Sequence, residues 1–286
     1  MDIILTHARA DFDAFASMLC AGKLFPQAVP VLPSTLIYKL REVLSLYRNL
    51  ADFRQIRFLR KTKDLILDKV ILVDTKKHGQ LKEFKPFLEK ARSLVIYDHH
   101  PPTLDDITTG SLELFPYGAN TTGLFFKLMD QGLDLTPQEA TIVLLGIYAD
   151  TGNLTYPGTT AEDALAAGEL LGLEADLQTV NNYLRPYFDP AQRFVFREML
   201  SSLQEMDMAG YKVVIVKQML EKPLQGISEL ISHVSDMVGA DAIVGIFASE
   251  SKPGVQIIVQ SLAPEINAGE ITARFGGGGH PGAGAA

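Results

Sequence analysis

Histidines and aspartates in this chain stand where apolar runs stop. Ile3-Ile4-Leu5 leads into Thr6-His7, with Asp11 and Asp13 close behind. The β-branched run Lys69–Val73 ends at Asp74, and Leu94–Tyr97 ends at Asp98-His99-His100. Asp150, with Thr151-Gly152 after it, closes another apolar stretch. Carboxylates brought this close repel one another and must take up protons or share cations. Acids mixed with imidazoles most simply hold a divalent metal. Two such cations, bridged by a carboxylate and a hydroxide, suit phosphoester hydrolysis. They lower the pKa of the attacking water and neutralise charge on the phosphoryl oxygens.

For these side chains to meet, the runs before them must be neighbouring strands. The first half of the chain alternates strand-like and helix-like segments. Ile3–Leu5, Ala28–Leu32, Lys69–Val73 and Leu94–Tyr97 read as strands. Phe12–Ala21, Leu36–Leu50, Gln80–Ala91, Thr122–Gln131, Pro137–Tyr148, Ala161–Leu171 and Leu177–Leu184 read as helices. Thr136 is the N-cap of one of them, with Pro137 in its first turn. The fold class is therefore α/β, a mainly parallel sheet with helices on both faces. In such a sheet ligands bind beyond the carboxyl ends of the strands, where the histidines and aspartates lie.

Asp189-Pro190 opens a helical stretch to about Met206, read as a connector. Beyond Gly210 the pattern becomes a smaller α+β unit. Its strands are Lys212–Val216, Ala242–Phe247 and Val255–Val259, its helix is Ile227–Val238, and Ser251-Lys252-Pro253-Gly254 forms a turn. The expected domains are 1–188, a connecting helix at 189–208, and 209–286. A chain of 286 residues suits two domains.

The motifs His7-x-x-x-Asp11-x-Asp13-x-x-x-Ser17, Val73-Asp74-Thr75, Asp98-His99-His100 and Asp150-Thr151-Gly152 resemble, in order, those of the DHH phosphoesterase superfamily. Phe275-Gly276-Gly277-Gly278-Gly279-His280-Pro281 resembles the glycine-rich loop of the companion DHHA1-type domain. The resemblance covers essentially the whole chain. It implies that His7, Asp11 and Asp74 hold one ion, and that Asp13, Asp74, His99 and Asp150 hold the other. The donor set favours manganese, with magnesium as the alternative. Asp98, His99 and His100 are the implied catalytic motif. His100 faces the phosphate or leaving group, and Asp98 fixes a histidine rather than binding metal. Arg274, Gly276, Gly277, Gly278, Gly279 and His280 are the implied substrate-binding set, with the glycine backbone forming an anion nest.

Two departures from the family pattern stand out. Phe12 and Phe15 sit where many members have small residues, and are expected to reshape the pocket. Related C-terminal domains also continue beyond the glycine loop, so the C-terminal domain is expected to be truncated. Asp150–Thr160 and Gly239–Ala286 resemble the N-terminal part of large bacterial fusions that add CBS domains and a poly(A)-polymerase/tRNA-nucleotidyltransferase module.

The partner this implies is a short nucleotide or oligoribonucleotide: RNA of a few residues, or 3′-phosphoadenosine 5′-phosphate. A homodimer and fusion to CBS and nucleotidyltransferase domains go with it. Competing readings are a pyrophosphatase, a cyclic-dinucleotide phosphodiesterase, and a regulatory nucleotide-binding module of a nucleotidyltransferase. The first is weakened because the C-terminal unit has no Ser-Arg-Lys-Lys-like motif. The last is weakened by the intact ligand set.

A net charge of −8 argues against long duplex nucleic acid, which needs a basic field. Arg54, Arg57, Arg60, Lys61 and Lys63 read as a solvated basic face. No apolar run reaches the ~20 residues of a membrane helix, and the N-terminus lacks a signal-peptide pattern. The single cysteine, Cys20, lies in an apolar stretch and reads as a core thiol of a cytoplasmic protein.

Overall fold

The computed structural model describes residues 1–46, 53–56, 59, 66–185 and 188–286. The chain divides into two compact units, Met1–Pro186 and Tyr187–Ala286.

The first unit is built on strands β1 (Asp2–Leu5), β2 (Ala28–Leu32), β3 (Arg54–Gln55), β4 (Leu67–Val73), β5 (Ala91–Asp98) and β6 (Ser111–Leu114). They form one sheet in the order β3-β2-β1-β4-β5-β6, and every pairing is parallel. Parallel neighbours require crossovers, which cover both faces with helices. Ile3, Leu5, Val70, Leu72 and Ile96 point into one core with Leu81, Phe84 and Ile107. The alternate residues Ile4, Ile71, Val73 and Tyr97 point into the other. Period-two alternation thus places apolar side chains on both faces, each worth about 1.5–3 kcal/mol when fully buried.

The second of these cores is filled by helices α1 (Phe12–Leu24), α4 (Asn120–Asp130), α5 (Pro137–Asp150) and α6 (Ala161–Gly172). Helices α2 (Tyr38–Leu46), α3 (Lys85–Leu88) and α7 (Leu177–Leu184) complete the unit. The chain leaves β1 toward β2 on one side and returns as β4 on the other. The carboxyl ends of β1 and β4 therefore flank a topological switch point, where the crossovers diverge and leave a crevice.

Some sequence expectations are corrected here. Gln80–Ala91 is not one helix. His78–Leu81 makes a 3₁₀ turn, Lys85–Leu88 a short helix, and Ala91 already begins β5. Pro86 explains the break, since proline fits a helix only in its first turn. The helix expected over Leu36–Leu50 runs from Tyr38 to Leu46 among the described residues. Arg57, Arg60, Lys61 and Lys63 of the basic run lie outside the described residues.

The second unit holds helix α8 (Pro190–Ser202), strands β7 (Gln204–Met208) and β8 (Tyr211–Leu220), helix α9 (Ile227–Val238), strands β9 (Ala242–Ser249) and β10 (Lys252–Ser261), helix α10 (Ala268–Ala273), and strands β11 (Gly278–His280) and β12 (Ala283–Ala285). Its sheet runs β11-β12-β10-β9-β8-β7. β8 and β9 are parallel, joined through α9, and the other pairs are antiparallel.

The helical stretch to Met206 is also corrected. The helix ends at Ser202, and Gln204–Met208 is a strand on β8. Ala209 and Gly210 both have positive φ, 57° and 87°. That geometry makes a tight hairpin and cannot continue a helix. Val195 and Met199 of α8 are buried with Val214 and Ile231, so this helix packs as part of the second unit. The expected turn is shorter than four residues. Lys252, Pro253 and Gly254 lie in β10, where the register shifts at a bulge. No helix among the described residues is long and apolar enough to cross a membrane.

Candidate metal centre

His7 follows β1, Asp74 follows β4, and Asp98 ends β5 with His99 and His100 just beyond it. Asp11 is the N-cap of α1, accepting the Ala14 N–H at 3.0 Å, and Asp13 lies in its first turn. Asp150 is the last residue of α5. It reaches the strand ends because α1 and α5 approach closely. A Cβ on Gly146 would meet the Ala16 Cβ at 2.6 Å, so only glycine permits this spacing.

The side chains form three overlapping groups: His7, Asp11 and Asp74; Asp13, His99 and Asp150; and Asp74, His99 and His100. In each, the ligand atoms lie within 4.8 Å of one another. His7 Nε2 is 3.2 Å from Asp74 Oδ2 and 3.9 Å from Asp11 Oδ1. His99 Nε2 is 3.2 Å from Asp150 Oδ2, 3.5 Å from Asp74 Oδ1 and 3.9 Å from Asp13 Oδ2. Asp74 thus faces both imidazoles with different oxygens. Its φ is +59°, the left-handed region, at a cost of about 1 kcal/mol. Backbone strain of this kind collects at functional sites.

The donor set fits a cation in two further respects. Each inner imidazole has its Nδ1 on a backbone carbonyl, His7 on Ala8 at 2.9 Å and His99 on Tyr117 at 3.2 Å. An Nδ1–H donated there leaves Nε2 as a lone-pair donor toward the carboxylates, as metal-ligating histidines are arranged. Asp74 Oδ1 and His99 Nε2 are also buried without a hydrogen-bond partner. Such orphaned groups call for an ion or water.

The electrostatics follow from crowding. Burial favours neutral imidazole, yet the Asp74 and Asp11 carboxylates outweigh it and raise His7 to about 9. Burial likewise opposes the charged form of His99, and the Asp150 and Asp74 carboxylates raise it to about 11. Burial and then the Asp74 charge push Asp11 up to about 6. Asp13 is raised by burial and by Asp74 and Asp150. Asp74 is lowered, because His7 and His99 outweigh its burial. The cluster as a whole demands positive charge.

Several supporting residues were not visible in the sequence reading. Asp13 is 1% exposed. Its oxygens accept the N–H groups of Asn120 at 2.9 Å and Thr121 at 3.0 Å, the first turn of α4. The positive end of that helix therefore holds the carboxylate. Asn120 does not cap its own helix; its amide donates to Ser17 Oγ at 2.8 Å. Asp163, fully buried, accepts the Gly118 N–H and the Thr122 hydroxyl while closing the capping box of α6. Lys76, 1% exposed, donates to Asp98 Oδ2 at 2.8 Å. Asp98 Oδ1 takes the His100 Nδ1 at 2.8 Å. Burial opposes ionisation of Asp98, but His100 and Lys76 hold its carboxyl below the usual range. Only a signal as slight as a lysine two residues beyond Asp74 pointed to Lys76.

The phenylalanines expected to reshape the pocket face the core instead. Phe12 is 5% and Phe15 1% exposed, against Tyr183 and Phe53 respectively. The glycine run is not an open nest. The Gly276 and Gly277 N–H groups donate to the Ala273 and Thr272 carbonyls, and Gly278–His280 is a strand on β12. A Cβ on Gly277 would meet the Ala285 carbonyl oxygen at 2.0 Å. Close backbone packing therefore accounts for glycine there. Arg274 and His280 are exposed in this second unit.

Residues 3–147 match the family model described as "DHH family, N-terminal domain". An A-adding tRNA nucleotidyltransferase of Geobacter sulfurreducens is 33% identical over 100% of this chain. The chain spans only 32% of that protein's length. A probable bifunctional oligoribonuclease and PAP phosphatase NrnA of Streptococcus mutans is 28% identical, over 74% of this chain and 67% of its own length. The crystal structure of an exopolyphosphatase-related protein from Bacteroides fragilis superposes with a TM-score of 0.73 at 17% identity, covering 99% of this chain and 85% of that one. That last likeness is one of fold.

Proposed function

This chain belongs to the DHH family of phosphoesterases, and on that premise we propose that it hydrolyses phosphate esters of short nucleotides with two divalent cations. The substrates are RNAs of a few residues or 3′-phosphoadenosine 5′-phosphate. The observation that carries this is the convergence of His7, Asp11, Asp13, Asp74, His99 and Asp150, with buried atoms of Asp74 and His99 unpartnered. The relative from Streptococcus mutans, named as a probable bifunctional oligoribonuclease and PAP phosphatase, supports the substrate class.

His7, Asp11 and Asp74 would hold one cation, and Asp13, Asp74, His99 and Asp150 the other. Two imidazoles among carboxylates favour manganese over magnesium. When bound, the ions supply an acidified water and neutralise the phosphoryl oxygens. The protein's own contributions are positional. The backbone carbonyls of Ala8 and Tyr117 orient the two inner imidazoles. The first turn of α4 fixes Asp13. His100, part-exposed and tied to Asp98, presents its remaining nitrogen to the charge that develops on the leaving group. Arg274 and His280 provide donors for the nucleotide end.

The test is mononucleotide release from a series of short RNAs and from 3′-phosphoadenosine 5′-phosphate, with manganese and an Asp74→Ala control. Activity abolished by the substitution is the expected result. Metal binding without turnover on any substrate would overturn the hydrolase reading. A second reading, a regulatory nucleotide-binding module within a tRNA nucleotidyltransferase, is favoured by the match of the Geobacter protein to the whole chain. Under that reading nucleotide binds and no product forms.

A further inference from the structure

A buried ammonium costs several kcal/mol unless it is paired and hydrogen-bonded. Lys76 is such a group, 1% exposed, in a loop just beyond β4. Its Nζ donates to Asp98 Oδ2 at 2.8 Å and to the His100 main-chain carbonyl. Its own carbonyl is held by the Ile107 N–H at 2.7 Å, so the lysine is anchored at both ends. The other oxygen of Asp98 accepts the N–H groups of His99 at 2.9 Å and His100 at 3.3 Å, and the His100 Nδ1 at 2.8 Å. An ionised carboxylate only accepts, so His100 must carry its proton on Nδ1.

Stability alone does not require this arrangement, because a buried ion pair is often no better than apolar residues of the same volume. Its geometric effect is specific. One ammonium grips the carboxylate that orients the His100 ring and the carbonyl of the same residue. We propose that Lys76 is a positioning residue for His100: it clamps Asp98 and the His100 backbone so that Nδ1–H stays on Asp98 and Nε2 is the nitrogen placed to take up and donate the proton that the leaving group needs. The kinetic part rests on the phosphoesterase reading; the tautomer does not.

The experiment compares wild type with Lys76→Met. Two-bond ¹H–¹⁵N spectra of histidine-labelled, metal-free protein read the tautomer, and a His100→Gln sample assigns the resonance. Wild type is expected to show one Nδ1–H form of His100, and Lys76→Met a mixture. With manganese and the best substrate, kcat should fall roughly 10- to 100-fold while KM and manganese affinity stay within about threefold, as for loss of orientation rather than of binding. Lys76→Gln keeps one donor in the slot and is expected to be intermediate. It carries the test should the methionine variant fail to fold. Wild-type tautomer and kcat in the variant would overturn the proposal. So would parallel loss of manganese affinity and kcat, which would make Lys76 a support of the metal ligands. If wild type turns over no substrate, the functional reading falls, and the tautomer comparison still decides the role of Lys76.

Discussion

At the scale of single residues, Asp74 and His100 should fail in different ways. Among the described residues Asp74 alone faces both inner imidazoles, at 3.2 Å and 3.5 Å. Asp74→Ala is expected to lower both metal affinity and activity by more than about 100-fold, the upper end for losing even an outer partner of a ligand. His100→Gln should retain metal and lose kcat by about 10²–10⁴, the range for a positioned acid–base or donor group. Isothermal titration with manganese beside steady-state kinetics separates them. Equal metal loss in both variants would place His100 among the ligands.

The proton inventory of the same side chains sets a pH dependence. With His7 raised to about 9 and His99 to about 11, both hold protons at neutral pH in the metal-free protein. A cation takes only the deprotonated imidazole, so binding must expel those protons. The sign is therefore fixed: affinity rises with pH. Loading both ions should release at least these two protons between about pH 6.5 and 8.5. Below the Asp11 value of about 6 a further proton competes. Titration in buffers of differing ionisation enthalpy counts the protons, and a pH-independent affinity would refute the ligand set.

At the scale of elements, what could be read from the sequence was what local chemistry controls. Strands β1, β4 and β5 end at His7, Asp74 and Asp98 because apolar runs stop there, and a parallel sheet must gather those ends at one rim. The Thr136 N-cap that starts α5 with Pro137 was equally legible, since it depends on neighbouring residues. What escaped notice depends on partners far apart in the chain. Asp13 meets the first turn of α4 more than a hundred residues later, and Lys76, just beyond β4, meets Asp98 at the end of the neighbouring β5. The helix expected over Gln80–Ala91 ignored Pro86. The glycine run resembles a phosphate nest, although Gly277 and Gly279 are required by the close approach to β12.

Asp163 gives this scale its test. It joins the start of α6 to the loop before α4, accepting from Thr160, Gly118 and Thr122. Asp163→Ala removes one half of the capping box and leaves buried donors unpaired, at a cost of about 2–4 kcal/mol. Thermal unfolding should shift down by roughly 4–16 °C. A variant as stable as wild type would show that α4 is held in place by other contacts.

At the scale of the whole molecule, charge decides which substrates can be drawn in. The chain carries a net charge of −8, so long-range attraction of a polyanion is absent and binding must come from local donors. Arg274 and His280 are exposed donors of the second unit, while the acidic centre of the first needs cations before any phosphate approaches it. A protein that tracks many phosphates loses about 10³–10⁵ in affinity between 50 and 200 mM salt, because each contact releases counterions. A dinucleotide carries a single bridging phosphate, so its KM should change by less than about tenfold over the same range. Turnover should also fall as the RNA lengthens, since each added phosphate is repelled by a net charge of −8. Arg274→Ala is expected to raise KM with kcat and manganese affinity unchanged, the pattern of lost uniform binding. Steady-state kinetics on RNAs of two to ten residues at the two salt concentrations measures all three. A steep salt dependence, or faster turnover of the longer RNAs, would mean that a basic surface beyond Arg274 and His280 guides the substrate, and would move the proposed substrate from short nucleotides to polymeric RNA.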